Sequence, residues 1–67
     1  MPRRVPAVGA EVTVLYLNAR EAGVVEAVED GGATAVVVTE HGDVLRFRLT
    51  ATGAFVTPDH TCRLLLG

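Results

Sequence analysis

The sequence predicts a small all-β barrel, and three features of the residue pattern predict it. Short runs rich in valine and threonine are typical of β-strands. Turn signals such as Asp30-Gly31-Gly32-Ala33 and His41-Gly42 separate these runs at short intervals. No segment repeats apolar residues with the helical period, so at most one short helical turn is expected, at residues 50–53 of a loop spanning 50–58. Five short strands closed into a barrel also leave no free strand edge.

The elements are predicted in chain order within a single domain. Two prolines and a glycine make residues 1–10 an irregular arm, and the barrel domain is expected over residues 11–67. The second strand is expected to contain a β-bulge or a sharp bend, because the spacing of Gly23, Val25 and Val28 breaks strict alternation. The five strands are predicted at residues 11–17, 23–29, 34–40, 43–49 and 61–66.

The two central turns predict the strand register and therefore the core. If His41-Gly42 is a two-residue turn, Val38 lies opposite Leu45. The next pair on the same face is then Val36 with Phe47. If Gly31-Gly32 is also a two-residue turn, Val38 lies opposite Val25 and Val36 lies opposite Ala27 in the second strand. A one-residue slip in either turn would move these side chains to the other face of the sheet. The predicted core consists of Val25, Ala27, Val36, Val38, Leu45 and Phe47.

The opposite face of this predicted sheet is too apolar for a face in water. The chain has twelve valines and seven leucines among 67 residues, more than a core of this size is expected to bury. We expect this face to bind a protein, and a second copy of the chain in a symmetric dimer above all, with Glu26 and Arg46 at the rim. The competing interpretation is that the N-terminal arm and the last strand cover it. The expected binding residues are Val24, Val28, Val37, Val44, Arg46 and Arg48.

Two segments carry a resemblance to known proteins. The stretch Gly23-Val24-Val25-Glu26-Ala27-Val28 is similar to the Gly-x-Val-x-x-Val second strand of SH3-like small barrels of the KOW and Tudor kind. Phe47-Arg48-Leu49 followed by Thr52-Gly53-Ala54-Phe55 resembles short uncharacterised proteins of actinobacteria and their phages. The resemblance implies a five-stranded SH3-like barrel over residues 23–66 and the role of a non-catalytic binding module.

The sequence predicts no catalytic residue, no metal site and no cofactor. His60-Thr61-Cys62 places an imidazole and a thiol close together in sequence, but a zinc site needs three or four ligands. Only His41 and nearby carboxylates remain to complete such a set. A nucleophilic Cys–His pair likewise lacks an orienting acid and an oxyanion hole. We therefore expect a histidine in a loop, a buried cysteine and no enzyme activity.

The charges define an alternative function. A net charge of −2 argues against a domain that binds mainly by neutralising phosphates. Arg46 and Arg48 nevertheless lie two apart on one strand face, where their guanidinium groups can act together on a phosphate or carboxylate. Glu26 is the acid expected to pair with Arg46 across the strands. The alternative is a nucleic-acid-associated barrel that uses Arg20, Arg46, Arg48 and Arg63.

Composition predicts the setting of the protein. All six basic residues are arginine and lysine is absent, the profile of a GC-rich bacterial genome. No secretion signal is evident, and no apolar run approaches the ~20 residues that cross a bilayer. A cytoplasmic location is expected, and the lone thiol of Cys62 agrees with it.

Overall fold

Six short strands, each antiparallel to its neighbours, form a closed barrel in the computed structural model of this chain, which describes residues 6–65. Neighbouring strands pair in chain order, and the last strand returns to pair with the first. The predicted small all-β barrel is therefore confirmed. The strands are β1 Glu11–Leu15, β2 Arg20–Glu29, β3 Thr34–Thr39, β4 Val44–Leu49, β5 Phe55–Val56 and β6 Arg63–Leu65.

The barrel has one strand more than the five predicted. β5 lies within the segment expected to be a loop and pairs with both β4 and β6. It has only two residues, too few for any alternating pattern to be recognised, and it exists because Phe55 is buried in the core. The helical turn predicted at residues 50–53 is a hydrogen-bonded turn, in which the Gly53 amide donates to the Thr50 carbonyl, 3.0 Å. Within residues 6–65 the one short 3₁₀ turn is Asp30–Gly32, whose three residues all have positive φ.

The register between β3 and β4 differs by one residue from the prediction. Val38 pairs with Val44 and not with Leu45. The turn has three residues, 40–42, and is closed by the hydrogen bond from the Thr39 amide to the Asp43 carbonyl, 2.8 Å. Gly42 takes a φ of +87°, the left-handed conformation that ends such a turn. Because side chains alternate along a strand, this one-residue difference exchanges the two faces of β3.

The predicted bulge in β2 is confirmed. Ala27 lies opposite Val36 as predicted, but Val25 lies opposite Val37, so the register shifts between Val25 and Ala27. The extra residue is Glu26, which is exposed. Because of this extra residue, Val25 lies opposite Val37, and both side chains are directed into the barrel.

The core lies where the inward side chains of all six strands meet. Of the predicted core residues, Val25 and Phe47 are buried, whereas Ala27, Val36, Val38 and Leu45 are only partly buried. Because the register differs by one residue, β3 contributes Ala35 and Val37 to the core instead of Val36 and Val38. The buried apolar residues are Val12, Val14, Val25, Ala35, Val37, Phe47, Phe55, Cys62 and Leu64.

Gly23 is where β2 and β3 approach most closely. A Cβ atom at Gly23 would lie 2.7 Å from Cγ1 of Val37 and 3.2 Å from the Val38 carbonyl oxygen. No side chain fits there without movement of a fully buried valine, so this glycine is required by packing and not by its dihedral angles.

Part of the N-terminal arm is attached to the barrel. The Gly9 amide donates to the Val25 carbonyl, 2.8 Å, and the Val25 amide donates to the Ala10 carbonyl, 3.0 Å. Pro6 is buried. Residues 1–5 of the predicted arm, and Leu66 of the predicted last strand, lie outside the described residues.

Candidate functional site

Four valines on the outside of β2, β3 and β4 form a continuous apolar surface, which we call the outer valine surface. Val24, Val38 and Val44 pair with one another across the three strands, and Val36 lies two residues further along β3 on the same face. Val24 is 44% exposed and Val44 is 65% exposed. A solvated face of an antiparallel sheet normally carries polar residues at these positions, so the surface is a candidate contact site.

Only part of the predicted binding set lies on this surface. Val24 and Val44 do, as predicted. Val37 does not, because it points into the barrel and is fully buried. Val28 also points inward and packs against the core. The change of register puts Val36 and Val38 on the outer surface in their place.

The rim of the outer valine surface is charged. Nη1 of Arg46 lies 2.8 Å from Oε1 of Glu29, and both side chains are substantially exposed. The expected partner was Glu26, so that prediction was wrong: the bulge carries Glu26 past Arg46, while Glu29 reaches it from the end of β2. Glu26, the unpaired bulge residue next to Ala27, is exposed, and its carboxylate is left without an ion pair among residues 6–65.

Arg48 belongs to a different row of outward side chains. It pairs with Val56 on β5, and Val56 pairs with Arg63 on β6. Arg63 in turn pairs with Leu15 on β1, and Leu15 pairs with Arg20 on β2. The structure therefore brings three of the four arginines of the alternative function into one line around the barrel and leaves Arg46 outside it. We call this line, Arg20, Leu15, Arg63, Val56 and Arg48, the arginine row.

A buried carboxylate at one end of the barrel forms a second polar cluster. Glu21 is only 8% exposed, and its Oε1 accepts a hydrogen bond of 2.6 Å from the Tyr16 hydroxyl. Its Oε2 contacts Nδ1 of His41 in the β3–β4 turn. Burial raises the pKa of the Tyr16 hydroxyl above its ordinary value, and the nearby Cys62 and Asp43 raise it further.

The same cluster is the group of described residues best able to hold a cation. Ligand atoms of Glu21, Glu40 and His41 all lie within 4.8 Å of one another. Sequence reasoning considered His41 but grouped it with His60 and Cys62, which are not members of this cluster. Both glutamates were missed, because Glu21 and Glu40 are far apart in sequence and come close only through the pairing of β2 with β3. Two of the three side chains are exposed, and such groups are common in proteins without a metal.

His60 and Cys62 occupy unrelated environments. Cys62 is a free, buried thiol in the core, as the sequence analysis expected. His60 is exposed in the β5–β6 loop with a φ of +61°. The Cys–His pair considered from the sequence is therefore divided between core and surface.

Comparison with protein families, with curated proteins and with solved structures finds no match for this chain. Within the part of the chain that the structure describes, no helix has the length and apolarity needed to cross a membrane.

Proposed function

We propose that this protein is a non-catalytic interaction module that binds a second copy of itself through the outer valine surface. The observation that carries the proposal is the exposure of Val24 and Val44 on either side of the half-buried Val36 and Val38. The described residues of the N-terminal arm bond to Val25 and leave these valines uncovered. Burial of such a surface is favourable by about 25 cal/mol per Å².

The closed barrel determines how a partner can bind. Every strand pairs on both sides, although β4 pairs with β5 only at Arg48 and Leu49, so little free edge is left for an added strand from another chain. We therefore expect association between faces, and the outer valine surface supplies an exposed apolar face. A dimer also relieves the small stability expected of a 67-residue chain without disulfides.

The charges around the valines favour a particular two-fold arrangement. Ala27 pairs with Val36 on the β2 side, with the bulge residue Glu26 next to it, and Arg46 pairs with Val36 on the β4 side. A two-fold axis that runs along β3 places β2 of one copy against β4 of the other. Arg46 of each copy then faces Glu26 of the other, so the rim is self-complementary twice in one dimer.

The same axis brings the valines together. Val24 of one copy faces Val44 of the other, while Val36 and Val38 meet their own counterparts near the axis. An isologous contact of this kind needs only one patch per chain. The proposal therefore depends on four apolar residues and one pair of opposite charges.

The first experiment compares two exposed apolar positions by sedimentation equilibrium at tens of micromolar. Val44→Glu should abolish association, because a carboxylate would be buried against Val24 of the second copy. Leu17→Glu is the matched control, since Leu17 is 90% exposed in the β1–β2 loop, away from the valines. We expect Leu17→Glu to remain dimeric.

The result that would overturn the proposal is a wild-type mass of 7.0 kDa, that of one chain, at these concentrations. A Val44→Glu variant that stays dimeric would place the interface elsewhere. Both variants should keep the circular dichroism spectrum of the wild type, because both positions are exposed.

A further inference from the structure

We propose that the arginine row binds the backbone of single-stranded nucleic acid, a ligand separate from the second copy in the dimer. The row shares no residue with the outer valine surface. Its members are Arg20, Leu15, Arg63, Val56 and Arg48, each paired with the next across neighbouring strands.

The charges of the row are available to a ligand. Within residues 6–65, the two ion pairs are His41 with Glu21 and Arg46 with Glu29, so neither involves an arginine of the row. All three arginine side chains are exposed. Arginine presents several N–H donors in one plane and binds phosphate oxygens in pairs.

Two strand acids lie near the row. Glu29 is in register with Arg48, with Thr34 between them, and it is paired with Arg46. The outward residues of β1, β5 and β6 include a single acid, Glu11, which lies at the far end of β1 from Leu15. Four residues of strand separate the two by about 13 Å, beyond the screening length of ~10 Å at 0.1 M salt. Asp59, the acid of the β5–β6 loop, is held in that loop by hydrogen bonds from Thr57 and Thr61 but keeps its negative charge. Because Glu29 is paired and Glu11 is distant, the three arginines outnumber the nearby acid, so a net charge of −2 is compatible with a local basic surface.

The spacing of the row suits a chain that alternates charge with apolar surface. Arg20 and Arg63 are two strands apart with Leu15 between them, and Arg63 and Arg48 are two strands apart with Val56 between them. Neighbouring strands are about 4.8 Å apart, and the row crosses five of the six strands, so it follows the curve of the closed barrel and does not lie on one flat face. A flexible single strand can follow that curve, with phosphates on the arginines and bases over the apolar residues.

A groove beside the row can receive the bases. It is lined by Leu15, Tyr16, Val56, His60 and Arg63, among others. The rings of Tyr16 and His60 are the stacking groups available there, and base stacking tolerates any sequence. We therefore expect binding without sequence preference.

An acidic peptide fits this surface less well. Peptides commonly bind sheets by adding a strand to a free edge, and this barrel is closed. A nucleic acid needs no main-chain hydrogen bonds, because its affinity comes from released counterions. A duplex is also less suitable, because it is too stiff over this length to follow a row that curves around the barrel.

The test is fluorescence anisotropy with a labelled twelve-nucleotide oligothymidylate between 25 and 200 mM salt. The dissociation constant should be on the order of 10–100 µM at 50 mM salt. A plot of its logarithm against the logarithm of the salt concentration should have a slope near 2 in magnitude, about 0.7 for each of three phosphates. Arg63→Gln should weaken binding by about fivefold to tenfold and reduce the slope by about 0.7.

Arg46→Gln is the matched control. It removes the same charge from an exposed strand position, but Arg46 is bonded to Glu29 and lies outside the row. Arg63→Gln and Arg46→Gln are both compared in the Val44→Glu background, where the proposed dimer contact of Arg46 is absent, so Arg46→Gln should leave oligonucleotide binding unchanged. Arg48→Gln is a second member of the row and should behave like Arg63→Gln. Val44→Glu should bind the oligonucleotide like the wild type, which separates this inference from the proposed dimer.

Four outcomes would overturn the inference. These are the absence of binding at 25 mM salt, equal effects of Arg63→Gln and Arg46→Gln, tighter binding of a duplex of equal length, and displacement of the oligonucleotide by polyglutamate of equal charge. The last outcome would assign the row to an acidic protein.

Discussion

Phe47 is the largest side chain that the barrel encloses completely. Truncation to alanine would leave a cavity that a closed sheet cannot collapse to fill. Phe47→Ala should therefore cost about 3–5 kcal/mol of unfolding free energy, which approaches the whole stability of a domain of this size. Thermal unfolding followed by circular dichroism should show a variant that is unfolded or melts far below the wild type. Leu17→Ala, at an exposed position, is the control, and a Phe47→Ala protein with near-normal melting would contradict the core described above.

Asp59 organises the β5–β6 loop although it is exposed. Its Oδ1 accepts hydrogen bonds from the Thr57 hydroxyl at 2.7 Å, the Thr61 hydroxyl at 2.8 Å and the Thr61 amide at 3.2 Å. The bond from the Thr57 side chain, followed by those from Thr61, lowers the pKa of Asp59 to about 2. These bonds are stronger to the ionised carboxylate than to the neutral acid.

This low pKa predicts how stability changes in acid. The folded-state pKa lies below the ordinary value of 3.8, so ionised Asp59 stabilises the fold above about pH 4, and that contribution is lost as the pH falls towards 2. Urea unfolding at pH 2, 3, 4 and 6 should show Asp59→Asn to be less stable than the wild type at pH 6, with the difference shrinking as the pH falls. A difference that stays constant over this range would show that the carboxylate charge is irrelevant to the loop.

At the scale of the strands, the contact between Gly23 and Val37 fixes how closely β2 and β3 approach. Gly23→Ala should destabilise the protein by about 1–3 kcal/mol, because the added methyl group would overlap Cγ1 of Val37. A double-mutant cycle with Val37→Ala measures this directly by urea unfolding. In that background the same glycine substitution should cost much less, and additive effects would contradict the proposed overlap.

The strands also show how far the sequence predicts this structure. Valine-rich runs and glycine turns predict β2, β3 and β4, and the bulge in β2 is visible in its broken alternation. The length of the β3–β4 turn is not visible. His41-Gly42 fits both a two-residue turn and the last two residues of a three-residue turn with Gly42 in the left-handed conformation. That one residue exchanged the faces of β3 and moved Val37 from the predicted contact surface into the core.

The candidate sites were predicted less completely than the fold, for the same reason. Arg46 was recognised as a rim residue, but its partner depended on the exact position of the bulge. The arginine row combines residues that are far apart in sequence, such as Leu15 and Arg63. These two are neighbours only because β6 closes the barrel against β1. Single-sequence patterns contain local periodicity, and they contain no information on such distant pairings.

For the whole molecule, the central feature is an excess of apolar residues over enclosed volume. Hydrophobic residues make up 49% of the chain, yet the barrel interior holds the side chains of nine buried apolar residues among those described. Among the other described apolar residues, some pack partly buried against this core, and Val24, Val36, Val38 and Val44 gather on one outer face. Charges are similarly segregated, with Arg20, Arg48 and Arg63 on another row of the barrel. One small domain can thus present two chemically distinct surfaces.

The most direct test of the central claim, that two copies pair through the outer valine surface, uses complementary charge reversals. Arg46→Glu and Glu26→Arg should each prevent self-association, since the two-fold axis places like charges together twice in every dimer. Light scattering after size exclusion, at tens of micromolar, should give each variant alone a mass near the 7.0 kDa of one chain. An equimolar mixture of the two variants restores both opposite-charge contacts and should elute at twice that mass. A mixture that remains monomeric, while the wild type is dimeric, would contradict the proposed arrangement of the two copies.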